Sequence, residues 1–218
     1  MSREGKDKPG VAKLAGDGET VLVTGGGGFL GGAIVAQLLA AGFSVRSFAR
    51  GDYPELHRRG VTVIRGDLTN AEAVKRACEG CAVVFHNAAK AGVWGDFDSF
   101  YRPNVIGTKN VIAACAGTGV GRLVFTSSAS VVFSDADMAG VDETVPYPEQ
   151  PRSPYTATKA EAERMVLAAN GPVLKTLSLR PHLIWGPGDT QIVPRIITQA
   201  RARSSGWGME ETSSTPPI

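Results

Sequence analysis

The stretch "TVLVTGGGGFLGGAIVAQLLAAG", Thr20–Gly42, decides the fold. Thr20–Thr24 reads as a strand, and from Phe29 apolar residues continue at helical spacing to a closing glycine. Between them Gly25, Gly28 and Gly31 have the GxxGxxG spacing of a dinucleotide site. Glycines there permit the tight turn, let backbone approach a pyrophosphate and pack the helix on the strand. The helix N-terminus then offers unpaired N–H groups and the positive end of a dipole. A glycine-rich turn that holds nothing is the alternative, and the order of strand, glycines, helix and strand argues against it. No Gly-Lys-Ser/Thr follows the glycines, which excludes a P-loop.

Working outward, the same rhythm repeats. Strands are expected at 44–50, 61–66, 82–89, 122–130 and 174–181, with helices at "AEAVKRACEG", "NVIGTKNVIAACAGTG" and "ATKAEAERMVLAA". Runs of Val, Ile and Leu without polar alternation suit strands covered on both faces. Alternation with helices predicts right-handed βαβ units and an α/β fold with a doubly wound, Rossmann-like parallel sheet.

The end of the second strand bears on the cofactor. An acidic residue is usual there for an NAD ribose. Here "SFARGD" puts Ala49 at that place and Arg50 next to it. A guanidinium favours a 2′-phosphate by charge and bidentate geometry, so NADP(H) is expected in preference to NAD(H), with Asp52 a competing charge.

Composition sets limits. The chain has 218 residues, 43% hydrophobic and 20% charged, with a formal net charge of +2. That balance suits an ordinary globular core and lacks the basic excess of a nucleic-acid partner. No apolar run is long enough to span a bilayer, and a cytoplasmic location is expected. Cys78, Cys81 and Cys115 are read as small buried hydrophobes in a reducing compartment, although "CEGC" has CxxC spacing. No metal-ligand spacing occurs. His86 and His182 are tempting as catalysts, but His86 reads as a satisfied structural histidine, and His57 has no evident partner. Trp94 and Trp185 are core residues by default, with a pocket wall as the alternative.

"SPYTATK", Ser153–Lys159, places Tyr155 and Lys159 one helical turn apart behind a capping serine and an N1 proline. By itself the pair is either chemistry or the first turn of an ordinary helix.

Taken together, "TGGGGFLG" (24–31), "GDL" (66–68), "HNAA" (86–89), "NVIGT" (104–108), "FTSSAS" (125–130), "YTATK" (155–159) and "LRPHLIWGPGD" (179–189) resemble an extended short-chain dehydrogenase/reductase of the 3β-hydroxysteroid dehydrogenase-like group. The resemblance implies Tyr155 as general acid/base, Lys159 as its partner and Ser128 as the group orienting the substrate oxygen. Ser127 and Thr126 are rivals in the same turn. It implies cofactor contacts from Gly25, Gly28, Phe29, Leu30, Gly31 and Arg50. Asp67 and Leu68 would lie by the adenine, Ala88 and Ala89 by the pyrophosphate and ribose, Asn104 behind the site and Pro181 by the nicotinamide. A free tyrosine titrates near ~10, so a nearby ammonium is expected to bring Tyr155 towards working pH.

"RGDYPEL", "VFHNAAKAGVWG" and "RPHLIWGPGD" are similar to the bacterial branch of the group that reduces 2-alkyl-3-oxoalkanoates in olefin biosynthesis. The implied substrate is an apolar small-molecule carbonyl or hydroxy compound. A homodimer and the other olefin-pathway enzymes are the implied partners. A 3β-hydroxysteroid or sterol dehydrogenase is the nearest alternative, and a nucleotide-binding protein without turnover is another.

The organisation expected is a flexible leader at 1–18, a dinucleotide-binding domain at 19–190, the start of a substrate domain at 191–204 and an aberrant, disordered tail at 205–218. The tail departs from the family's pattern. Permitted codons for it, read two nucleotides on, spell a string like the family's continuation, so a frameshifted, truncated product is expected. Apolar surface around Ile184, Trp185 and Ile196 is then expected to lie bare.

Overall fold

Thr20–Thr24 is β1, a central strand of the sheet. The computed structural model describes residues 18–92, 95–133, 138–189 and 192–205. β1 lies between β2 (Ser44–Ala49) and β4 (Val83–His86); β3 (Thr62–Arg65) flanks β2, and β5 (Arg122–Thr126) and β6 (Lys175–Leu179) follow β4. All the pairings are parallel, in the order β3-β2-β1-β4-β5-β6. The expected doubly wound sheet is therefore present.

Successive residues of β1 feed opposite faces, as the period of two requires. Val21 and Val23 pack with Val35 and Leu38 of α1 (Phe29–Ala40) and Leu56 of α2 (Pro54–Arg58). Leu22 packs with Val74 and Ala77 of α3 (Ala71–Cys78), Val111 and Ala114 of α5 (Gly107–Thr118), and Ala162 and Val166 of α6 (Pro154–Ala168). Each fully buried Val or Leu in these layers contributes roughly 1.5–3 kcal/mol. Cys78, Cys81 and Cys115 are free thiols inside the second of these clusters.

Three local expectations are corrected. The strand expected over 82–89 stops at His86, because the amides of Asn87 and Ala88 turn to the Thr24 hydroxyl, at 3.1 and 3.0 Å. The strand expected over 122–130 stops at Thr126, because Ser128 caps a short 3-10 turn, Ala129–Val132, by accepting from Ser130 N. The helix expected from Asn104 begins instead at Phe97. Its first segment, α4 (Phe97–Tyr101), is capped by Asp96 and joined to α5 by a π-helical turn, Arg102–Ile106.

Among the described residues β6 is an edge strand, and its Leu177 and Leu179 are exposed. These residues belong to a first unit, Met1–His182. In a second unit, Leu183–Ile218, the Asp189 carboxylate accepts from Val193 N at the start of α7 (Ile192–Ser205). Trp185 and Ile196 are exposed as expected, whereas Ile184 is half-buried. The leader up to residue 17, Trp94 and the tail from residue 206 lie outside the described residues.

Candidate dinucleotide cleft and active site

Where β1 and β4 part, the loops leave the sheet in opposite directions and open a crevice at its carboxyl edge. The cleft there has a volume of about 1140 Å³. Gly25 sits at φ 71°, and a Cβ on it would stand 3.0 Å from Ala88 Cα, so a side chain would close the crevice. A Cβ on Gly31 would fall 2.1 Å from the Gly25 carbonyl oxygen, which makes the helix–strand approach dependent on glycine.

Of the expected cofactor residues, Gly25, Gly28, Arg50, Asp67, Leu68, Ala88 and Ala89 line the cleft. Phe29, Leu30 and Gly31 do not line it; they form the first turn of α1 behind the glycines. Thr69 binds Asp67 Oδ1 through its amide at 2.8 Å and its hydroxyl at 2.7 Å. Those bonds, helped by the charges of Arg50 and Arg102, hold the Asp67 carboxyl below the usual range despite partial burial. Asp67 is therefore an anion held chiefly by Thr69, with two guanidinium charges adding to the effect. Asp52, the competing charge, bonds instead to His57 Nε2 at 3.1 Å, so His57 does have a partner.

Tyr53, Lys90 and Arg102 also line the cleft and were not singled out from the sequence. The Tyr53 ring covers Gly27 closely enough that a Cβ there would come within 2.3 Å of it. Lys90 donates to Ser99 Oγ at 2.5 Å and lies 4.5 Å from the centroid of Phe100. The hint in the sequence for Lys90 and Arg102 is their closeness to "HNAA" and Asn104; Tyr53 follows the "RGD" after β2.

Asn104 is buried in the π turn and acts as a hub. Its side chain accepts from Lys90 N at 2.8 Å and donates to Lys90 O and Thr158 Oγ1, each at 3.1 Å. Thr158 belongs to α6, the helix that carries Tyr155 and Lys159. Gly107 lets α5 close on the loop at Leu68, because a Cβ on it would stand 2.8 Å from Leu68 Cβ.

Among the three rivals at the end of β5, the hydroxyl beside Tyr155 is that of Ser128. Burial raises the Tyr155 pKa, and the interaction with Ser128 opposes the rise. Ser127 is buried, with its amide donating to Leu179 O at 2.7 Å, and the Thr126 carbonyl accepts from Lys159 Nζ at 2.6 Å. Pro181 stands by the same loop, its carbonyl accepting from Ala129 N at 3.1 Å. Tyr155, Lys159 and Ser128 lie outside the lining of the cleft itself.

The ammonium was expected to draw Tyr155 down, and the geometry differs. Lys159 turns inward to the Thr126 carbonyl, 3.9 Å from the Phe125 ring centroid, and burial lowers its pKa to about 7 against the opposing charge of Glu163. Glu163, one further turn along α6, is fully buried. It accepts from Arg180 at 2.6 and 2.9 Å, from the Tyr147 hydroxyl at 2.6 Å and from Ser178 Oγ at 3.1 Å. Burial pushes its carboxyl up, and Arg180, with the hydroxyls of Ser127 and Tyr147, brings it below the usual range. Its position four residues beyond Lys159 was the one signal available in the sequence.

A parallel sheet in the order 3-2-1-4-5-6 with a glycine turn at the crevice defines a dinucleotide-binding protein of Rossmann type. Its sequence narrows this further: the model of the 3-beta hydroxysteroid dehydrogenase/isomerase family matches residues 22–215, and the chain belongs to that family. It is 55% identical over 201 residues to the 2-alkyl-3-oxoalkanoate reductase of Stenotrophomonas maltophilia, covering 89% of this chain and 61% of that protein. To the 2-alkyl-3-oxoalkanoate reductase of Shewanella oneidensis it is 48% identical over 208 residues, covering 92% and 54%. The structure of MoeE5 in complex with UDP-glucose and NAD superposes with a TM-score of 0.71 at 34% identity, covering 85% of this chain and 62% of that one. The chain thus spans between half and two thirds of the length of these relatives.

Among the described residues, no group of three or more His, Cys, Asp or Glu side chains could hold a metal ion. Among them, too, no helix is long and apolar enough to cross a membrane.

Proposed function

We propose that this chain carries the cofactor half, and the proton-transfer groups, of an NADP(H)-dependent oxidoreductase that interconverts a carbonyl and a secondary alcohol. The observation that carries the reading is the glycine-floored cleft with Arg50 and Asp67 at one end, on a fold whose Tyr155 has a serine hydroxyl beside it. The cleft fits a dinucleotide: its floor admits no Cβ at Gly25, and Arg50, Lys90 and Arg102 line it with cationic groups against the single carboxylate of Asp67. A nicotinamide bound there supplies or accepts a hydride.

The chain's own groups do the rest. Tyr155, kept protonated by burial, gives its phenolic proton to the oxygen that becomes the alcohol. Ser128 donates a hydrogen bond to that oxygen as charge develops on it. Lys159, with a pKa of about 7, exchanges protons near working pH from the turn below Tyr155. Arg50 favours a 2′-phosphate over a bare ribose hydroxyl.

The substrate we propose is a 2-alkyl-3-oxoalkanoate, reduced to the 3-hydroxy acid, on the strength of the two reductases similar to this chain. A 3β-hydroxysteroid or sterol is the second reading, favoured by the family to which the chain belongs. The whole enzyme would work in the cytoplasm, where free buried cysteines persist, as a homodimer or beside olefin-pathway enzymes.

The test is NADPH oxidation with a 2-alkyl-3-oxo acid against NAD(P)⁺ reduction with a 3β-hydroxysteroid. Reduction of the oxo acid alone supports the first reading, and oxidation of the steroid alone replaces it with the second. Nucleotide binding with neither reaction leaves a binding protein without turnover.

A further inference from the structure

Outside the proposed chemistry, His86 is a buried polar group hydrogen-bonded at both ring nitrogens. It is 1% exposed at the end of β4, between Thr24 at 0% and Thr108 at 1%. The Thr24 hydroxyl lies 2.8 Å from Nδ1, and the Thr108 hydroxyl lies 2.9 Å from Nε2.

The direction of each bond follows from counting donors. A threonine hydroxyl has one proton to give and two lone pairs to receive. Thr24 Oγ1 already accepts from Asn87 N at 3.1 Å and Ala88 N at 3.0 Å, so its proton goes to His86 Nδ1. At the other end Thr108 Oγ1 gives its proton to the Asn104 carbonyl at 2.5 Å, so it must accept from His86 Nε2. Each end independently demands the same neutral tautomer, with the proton on Nε2. A second proton on Nδ1 would meet a hydroxyl with no lone pair to spare.

The groups packed around the ring agree. The Phe125 ring of β5 lies 5.5 Å from the imidazole, and the Lys159 ammonium of α6 sits over that same phenyl ring. Burial and the Lys159 charge together push His86 down to about 3. His86 therefore gives and takes no proton at working pH.

The chain of bonds has two ends in the cleft wall. Thr24 holds the amides of Asn87 and Ala88 and is followed directly by Gly25. Thr108 holds the carbonyl of Asn104, whose side chain grips both backbone groups of Lys90. We propose that His86 is a positioning residue for the dinucleotide cleft: locked as the Nε2–H tautomer between Thr24 and Thr108, it sets the spacing between the glycine turn and the Asn104 hub. The wall from Asn87 to Lys90 is thereby held at both ends against Gly25. This rests on the nucleotide-binding part of the proposed function.

Two measurements on the whole chain test it. In ¹H–¹⁵N long-range spectra of histidine-labelled protein, Nδ1 of His86 should appear as a bare ring nitrogen and Nε2 as a protonated one, unchanged from pH 5 to 9. A titrating imidazole, or the opposite tautomer, overturns the proposal whatever the variants do. Thr108→Val removes the acceptor, and Thr108→Ser keeps it. NADPH affinity should fall about tenfold in the first and return to within about twofold in the second, because a buried donor is left unpaired in the first alone. If Thr108→Val does not fold, Thr24→Val and Thr24→Ser make the same comparison from the other end. Wild-type binding that the folded valine variant reproduces sinks the positioning role and leaves the cofactor reading standing. Failure of the unaltered chain to bind NADPH or NADH sinks the cofactor reading, and the positioning role with it.

Discussion

Lys159 Nζ donates to the backbone carbonyl of Thr126 across 2.6 Å, from within the core and directly over the Phe125 ring. Its pKa drops from an ordinary 10.5 to about 7, chiefly by burial. Between those two values the unfolded chain binds a proton that the folded chain lacks. The contribution of this group to stability therefore rises with pH from about 7 to about 10.5, and protonation costs most below about 7. Denaturant titrations should show a slope of up to about 1.4 kcal/mol per pH unit across the window, flattened in Lys159→Met. The same slope in that variant would remove Lys159 as its source.

Tyr155 remains a phenol at neutral pH, since burial raises it and Ser128 only partly opposes the rise. Tyr155→Phe removes the one hydroxyl proposed to move a proton and leaves the cleft lining untouched. Turnover should fall by about 10²-fold or more, with NADPH affinity within about threefold of the unaltered protein. Near-normal turnover in the variant would pass the acid/base role to another group.

Arg50 and Asp67 share one end of the cleft, and the guanidinium is the group suited to a 2′-phosphate. Arg50→Ala should weaken NADPH about tenfold or more while leaving NADH within about twofold, because only the former presents the extra dianion. Calorimetric titration with both cofactors decides it. Equal losses for the two would mean that Arg50 serves a shared part of the dinucleotide.

Glu163 carries no solvent exposure and ties α6 to β6 through Arg180 and Ser178. Glu163→Gln keeps the shape and removes the charge, leaving the Arg180 guanidinium without its counter-ion. A loss of about 3 kcal/mol is expected in chemical denaturation. The carboxyl lies below its ordinary 4.5 in the folded chain, so its contribution is present above that value and is lost as pH falls through the folded one. Acid unfolding should consequently begin at lower pH than in a variant with this network cut, such as Arg180→Met.

Gly31 and Gly32 are neighbours in α1 with opposite tolerance. A methyl at Gly31 meets the Gly25 carbonyl at 2.1 Å, whereas one at Gly32 comes no nearer than 3.7 Å to the Gly26 oxygen. Gly31→Ala should cost several kcal/mol, about 2 or more, and nucleotide affinity with it, while Gly32→Ala stays within about 1 kcal/mol. Thermal melts with and without NADPH compare them directly. Equal behaviour would show that the turn relaxes more easily than its contacts imply.

Much of this was written in short stretches. "TVLVTGGGGFLGG" names a strand, a turn and a helix through residues that touch within a few positions of one another. The spacing of Tyr155 and Lys159 needs only the pitch of a helix. Arg50 and Asp67 are placed by the ends of strands that their own β-branched runs define.

The alternation of elements, the glycine floor and the one-turn spacing of tyrosine and lysine are thus legible in the chain itself, because each is fixed by backbone sterics and local periodicity. It takes the folded chain to show that Lys159 faces the Thr126 carbonyl, that Ser128 and not Ser127 stands by Tyr155, that Glu163 meets Arg180 and that His86 lies between two threonines. Those partners are separated by 17 to 62 residues along the chain. A side chain's pKa and hydrogen-bond direction depend on what packs against it, and that is settled only when the sheet brings distant strands to one edge.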